Sequence, residues 1–214
     1  MSEAKDAILY TYYNNVYLNI TNACPCSCEF CIRRTTDHVG RSGSLWLSHN
    51  PAFEEVKAAV DNFDFSGFSE AVFCGYGEPT SSFDVLIKTA QYLRSKGIKT
   101  RLNTNGLGCL IHKRNIVKEI CDNIDFISIS LNAPNAEKYN EIVHPSFGII
   151  SFDAMLDFGR ECRKYTENVA FTVVDVIGEE EIEQCRKVAE SAGVPLRVRT
   201  YTPAYEAGED TSVN

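Results

Sequence analysis

Asn22-Ala23-Cys24-Pro25-Cys26-Ser27-Cys28-Glu29-Phe30-Cys31 places four cysteines within eight positions. A hydrophobic core is not built this way. Soft thiolates so crowded gather on one ion or cluster. Cys24, Cys28 and Cys31 have three and then two residues between them. One tight loop with that spacing wraps a corner of a cubane and supplies three ligands, which leaves one iron of a 4Fe–4S cluster open. Cys26 falls at a non-ligand position, where it reads as a small filler or as a partner that exchanges with Cys24. Two rival readings use the same stretch. One is a zinc-binding structural or adaptor module on all four cysteines. The other is a simple iron–sulfur electron carrier.

Working outward, Ile8–Tyr12 and Val16–Ile20 are rich in β-branched and aromatic residues, with Asn14-Asn15 between them. That pattern predicts a hairpin whose second arm leads into the cysteines. A long functional loop follows, to about Leu47. Helices are then expected over Pro51–Phe63 (Asn50 as N-cap), Ser82–Ser95, His112–Asn123, Pro134–Val143, Phe152–Tyr165 and Glu179–Ser191. Strands are expected over Glu70–Cys74, Ile98–Asn103, Phe126–Leu131, Val169–Val176 and Leu196–Tyr201. Strands alternating with helices predict an α/β chain with a parallel sheet. One core domain is expected over residues 1–201, with 202–214 as a polar tail.

The totals narrow the function classes. With 214 residues the chain needs no disulfide staples. Lys+Arg number 21 against Asp+Glu 29, a net charge of −8, which argues against a general nucleic-acid-binding face. No apolar run is long enough for a membrane helix, and Met1–Tyr10 lacks a signal-peptide pattern. Nine cysteines crowded toward one loop suit a reducing compartment better than a disulfide framework. A cytoplasmic protein is expected.

Function in parallel barrels collects where strands finish. After the second strand of the alternating series comes Gly75-Tyr76-Gly77-Glu78-Pro79. Its glycines let the backbone approach a ligand, and its carboxylate can receive an ammonium; an ordinary strand-to-helix turn is the plainer reading. Asn103 and Asn105 end the third strand. Ser128, Ser130 and Asn132 alternate with Ile127, Ile129 and Leu131, so hydroxyls and an amide share a face. Asn132 could equally cap the next helix, since Pro134 follows. Arg197 and Arg199 share a face of the last strand, and Arg33-Arg34 follows the last cysteine of the loop; both pairs suit an anion or a solvated surface. Cys74 and Cys109 are candidate hydrogen-atom donors or buried small hydrophobes. Cys121, Cys162 and Cys185 read as helix packing.

Cys-x-x-x-Cys-x-aromatic-Cys after a strand ending Asn-Ile-Thr-Asn resembles the cluster loop of the radical S-adenosylmethionine (SAM) superfamily. The resemblance implies a partial (β/α)6 barrel with an added N-terminal hairpin strand, and two cofactors, a 4Fe–4S cluster and SAM. Cys24, Cys28 and Cys31 would hold the cluster, the open iron would chelate the amino and carboxylate groups of SAM, and Phe30 would lie near the adenine. Gly77, Glu78 and Pro79 match the superfamily's Gly-Gly-Glu-Pro segment, which holds the SAM amino group; Tyr76 stands where a glycine is usual, with Gly75 before it. Ser130, Asn132, Asn103, Asn105 and Arg199 would meet the ribose and carboxylate. The implied partners are an electron donor such as flavodoxin or ferredoxin and an unidentified substrate, which the arginine pairs would suit if it is anionic. Tyr-Leu-Asn-Ile-Thr-Asn, Cys-Ile-Arg-Arg, Gly-Tyr-Gly-Glu-Pro-Thr, Ser-Leu-Asn-Ala-Pro-Asn at Ser130–Asn135 and Arg-Val-Arg at Arg197–Arg199 are together similar to the small TatD-linked radical SAM family, which is named for an association with TatD-type nucleases. A glycyl-radical-enzyme activase is the neighbouring alternative within the superfamily.

Overall fold

The structure is a computed structural model and describes residues 7–40 and 42–200. The tail expected at 202–214 lies outside the described residues, as does Tyr201 at the end of the last expected strand. The described chain divides into two compact units: one of residues 7–23 and 31–101, the other of residues 24–30 and 102–200.

In the first unit the expected hairpin forms from β1 (Leu9–Tyr12) and β2 (Asn15–Leu18), paired antiparallel with Leu9 opposite Leu18. Tyr13 takes the left-handed corner of its turn at φ 49°. β3 (Glu70–Phe73) runs parallel to β2, with Leu18 opposite Phe73. Its Ala71-Val72-Phe73 run is wholly buried, as expected of a strand covered on both faces. α1 (Phe53–Asp61) and α2 (Phe83–Ser95) pack on one another, with Phe53 edge-on to Tyr92 at 6.3 Å.

The cap of α1 differs from expectation. Ala52 is the N-cap, and its N–H donates to Glu55 Oε2 at 2.8 Å. Asn50 is occupied elsewhere: its Oδ1 accepts from Thr21 Oγ1 at 3.0 Å and from the Asn22 amide at 3.3 Å. A side chain engaged with the segment leading into the cysteines does not cap a helix.

β4 (Thr100–Thr104) runs from the first unit into the second. In the second unit, the helix expected over His112–Asn123 starts only at Val117, as α4 (Val117–Asn123), and a short helix that the sequence does not predict, α3 (Gly108–His112), precedes it. Lys113 breaks the run in the left-handed region, φ 53°, and Asn115 Oδ1 accepts the Val117 amide at 2.9 Å to start the second helix. β5 (Phe126–Ser130), β6 (Val169–Val174) and β7 (Leu196–Arg199) pair parallel in that order. α5 (Ala136–Val143), α6 (Ile150–Cys162) and α7 (Glu179–Ser191) alternate with them. Gly159 of α6 has a packing reason: an added Cβ would meet the Phe171 ring of β6 at 2.5 Å. The α/β class, the antiparallel N-terminal hairpin and the parallel pairing after it are as the sequence predicts.

Candidate functional site

In the first unit the chemistry-bearing turn follows β3. Glu78 is only 4% exposed. Its Oε1 accepts from the Thr80 amide at 3.1 Å and from Thr80 Oγ1 at 2.7 Å, so the carboxylate starts the helical turn Pro79–Ser82. The Glu78 amide donates to the carbonyl of Ala23 at 2.8 Å, one residue before Cys24. Gly77 is required at this contact. A Cβ there would lie 2.3 Å from the Thr21 carbonyl oxygen and 2.7 Å from that of Ala23. Gly75 is equally confined, with Asn19 Oδ1 at 2.1 Å from an added Cβ.

Tyr76, standing where the superfamily has glycine, has its own work. Its ring is buried with Ala7, Tyr10, Val39 and Leu45, and the Trp46 ring meets it edge-on at 5.1 Å. The phenol donates to the Thr36 carbonyl, and the Tyr76 carbonyl accepts from Arg33 Nη1 at 3.3 Å. Burial, with the charges of Asp37 and Cys31 added, pushes the phenol up to about 12 and keeps it a donor. Tyr76 thus pins the segment that follows Cys31, where Ile32–Arg34 form a short 3-10 turn.

Asn19 is a residue the sequence reading did not single out. It is fully buried and bonds three ways. Nδ2 donates to the carbonyls of Leu45 at 2.7 Å and Ala7 at 3.3 Å, and Oδ1 accepts the Tyr76 amide at 3.3 Å. A polar amide inside an apolar strand was the available signal. Asn22 closes the base of the long loop with a two-way bond to Leu47, at 2.7 and 3.1 Å.

In the second unit, the segment 24–30 is laced to the end of α5. The Ser27 amide donates to the Val143 carbonyl at 3.1 Å and the Glu29 amide to that of Ile142 at 3.0 Å. The Ser146 amide returns a bond to the Pro25 carbonyl at 2.7 Å. Cys24 and Cys28 are partly exposed, whereas Cys26 is 4% exposed. Hydrogen bonding with the thiols of Cys24 and Cys28, and then burial, hold the Cys26 thiol well above the usual range. Asn105 Nδ2 also points at the Cys26 sulfur, 3.5 Å away. A tetrahedral zinc site needs its donors about 2.0–2.3 Å from one point. Among the described residues, no three His, Cys, Asp or Glu side chains gather in that way.

The strand ends of this unit carry further polar groups. Asn103 Oδ1 is buried and has no hydrogen-bond partner among the described residues. Asn105 Oδ1 accepts the Leu107 amide at 2.9 Å. Ser130 is half-buried at the end of β5, and Asn132 takes a left-handed turn at φ 61°. Asn132 does not cap α5; Asn135 does, accepting the Lys138 amide at 2.8 Å. Phe30 is half-buried. Arg197 and Arg199 are exposed on β7, the former with its guanidinium 5.8 Å from the Phe126 ring. Burial pushes the Cys109 thiol up. Cys74, in the first unit, accepts through its carbonyl from the Tyr10 phenol at 3.2 Å.

The donor chemistry of these residues suits the cofactors that the sequence resemblance implies. Partly exposed thiols stand in the loop, a glycine cradle lies flush against the backbone leading into it, and an acceptor on β4 is buried with no partner among the described residues. Among the described residues, no helix is long and apolar enough to cross a membrane.

A protein of Methanocaldococcus jannaschii with the provisional name glycyl-radical enzyme activating enzyme is 31% identical over 90 residues. That match covers 41% of this chain and 35% of the relative, so about a third of the relative's length is spanned. The crystal structure of a radical SAM methyltransferase from Sphaerobacter thermophilus is 14% identical and covers 92% of this chain and 70% of its own. Its TM-score of 0.48 is too low to bear on fold or chemistry. The family profile of the radical SAM superfamily matches residues 18–192, running from β2 through the cysteine loop to the end of α7. With most of its length matched, the chain belongs to the radical SAM superfamily.

Proposed function

We propose that this radical SAM enzyme holds a 4Fe–4S cluster on Cys24, Cys28 and Cys31, binds SAM beside it, and takes a hydrogen atom from an anionic substrate. Bound together, the two cofactors supply one-electron cleavage of a sulfur–carbon bond, giving methionine and a 5′-deoxyadenosyl radical. An outside donor such as flavodoxin or ferredoxin provides the electron. The observation that carries the reading is the bond from the Glu78 amide to the Ala23 carbonyl, with Gly77 flush against the same backbone. It ties the ammonium-receiving turn to the residue that precedes the first ligand.

In this reading Glu78 receives the SAM ammonium, while Gly75, Tyr76 and Gly77 shape the backbone around it. Asn103, whose Oδ1 is buried with no partner among the described residues, and Asn105, Ser130 and Asn132 meet the ribose and carboxylate. Phe30 packs near the adenine, and Arg199 is the outermost contact. Cys109 stays protonated under its burial, the state that a hydrogen-atom donor needs, with Cys74 as the other candidate. Among the described residues no disulfide joins any of the nine cysteines, which supports a reducing, cytoplasmic setting. A functional link to a TatD-type nuclease is part of this reading, and it is supported by five segments taken together: Tyr17–Asn22, Cys24–Arg34, Gly75–Thr80, Ser130–Asn135 and Arg197–Arg199.

Anaerobic reconstitution with iron and sulfide, followed by assay for 5′-deoxyadenosine under strong reductant, tests the core of this. The wild-type chain is expected to form it, and Cys28→Ala to fall to background. A fully loaded wild-type protein that forms none defeats the reading.

The Methanocaldococcus jannaschii relative favours a second reading, an activase whose substrate is a protein backbone. Appearance of a glycyl radical on a large protein partner, seen by electron paramagnetic resonance, would establish it. Turnover of a nucleotide or short peptide would remove it.

A further inference from the structure

α5 joins two parts of the second unit that the proposed function uses separately. At its N-terminus, Asn135 caps it three residues after Asn132 and five after Ser130, the candidate ribose and carboxylate contacts. At its C-terminus, helix geometry leaves the last carbonyls without partners of their own. Here Ile142 and Val143 offer theirs to the Glu29 and Ser27 amides, on either side of Cys28, at 3.0 and 3.1 Å. His144 then reverses the chain in the left-handed region at φ 46°, and its Nε2 lies 3.3 Å from Glu29 Oε1. Two residues further, the Ser146 amide bonds the Pro25 carbonyl at 2.7 Å. The shaft is held as well: Tyr139 is buried against Phe152 of α6, ring centroids 5.7 Å apart.

Three backbone bonds and one side-chain contact thus fasten segment 25–29 to a single helix end. All four are made between protein groups. A loop fixed only by its ligands would have no such lacing, and its amides would face solvent before assembly.

We propose that α5 is a strut that orders the cysteine loop before iron enters and transmits to it the occupancy of Ser130 and Asn132. The second half rests on the cofactor reading above; the first does not. Ser146 and His144 are its positioning residues, acting on the ligands only through the loop backbone. A ligand drawn against the end of β5 shifts the N-cap of α5, and a rigid helix of eight residues passes that shift to Ser27 and Glu29.

The test uses the full chain, prepared anaerobically both without metal and after reconstitution, with amide hydrogen exchange read at Ser27 and Glu29. In the metal-free protein both amides are expected to exchange at least about 100-fold more slowly than in an unfolded chain. Ser146→Pro removes the donor to Pro25. It is expected to speed both amides about tenfold, to leave iron content unchanged, and to diminish the change that SAM produces in the paramagnetic resonance spectrum of the reduced cluster. Free exchange in the metal-free wild type, or a Ser146→Pro protein with unaltered protection and spectrum, overturns the strut. Should Ser146→Pro not fold, His144→Gly keeps the left-handed turn and removes the contact to Glu29; about threefold faster exchange at Glu29 is expected, and no change overturns the proposal. A chain that protects both amides yet takes up no iron overturns the cofactor reading and leaves the ordering role of α5 standing.

Discussion

Glu78 and Arg199 both stand at strand ends, and both carry a charge suited to part of SAM, yet the chain holds them very differently. Glu78 is buried, bonded to Thr80 through its side chain and to Ala23 through its amide, and preceded by a glycine with no room for a Cβ. Arg199 lies on β7, where three of four residues are exposed. A fixed carboxylate has lost its rotamer freedom before a ligand arrives, whereas a solvated arginine must lose it on binding. Preorganisation at the end of β3 is therefore expected to carry more of the binding than charge at the end of β7.

The largest effect should come from Glu78→Ala. A hydrogen bond to a charged group contributes about 1.5–3 kcal/mol, so the KM for SAM should rise about 10–100-fold. An unchanged KM would break the comparison at its strong end. Next comes Gly77→Ala. Its methyl would overlap two backbone carbonyls, neither of which is a flexible side-chain tip. Thermal unfolding should register a loss of about 1–2 kcal/mol; a neutral result would show that the segment before Cys24 yields easily. The smallest is Arg199→Ala, expected to alter stability by under about 0.5 kcal/mol and the KM for SAM by no more than about threefold. A tenfold rise would show that the exposed arginine swings onto the ligand and would erase the contrast.

What the sequence made legible was local. Cysteine spacing and the Gly-Tyr-Gly-Glu-Pro turn are read within a few residues, and hydrophobic alternation placed the strands and most helices within two or three positions. What escaped was set by contacts far along the chain. Asn50 looks like a helix cap beside Pro51, but its oxygen is taken by Thr21 and Asn22. Lys113 gives no hint of a left-handed break unless Asn115 is seen to begin a second helix. The lacing of the cysteine loop to α5 joins residues more than a hundred positions apart, beyond the reach of any periodicity. Tyr76 departs from its family's glycine, and only the packing around it explains why an aromatic ring is tolerated there.

The paired bonds of Asn22 with Leu47 and of Asn50 with Thr21 close the neck of a long excursion of the chain. Enlarging a loop whose ends are already joined costs little, about 0.6 kcal/mol for each doubling of length. Extra residues grafted at the Gly40 turn should therefore lengthen the excursion without disturbing its neck. Here the scaffold offers a place to append a recognition element while its chemistry is left intact.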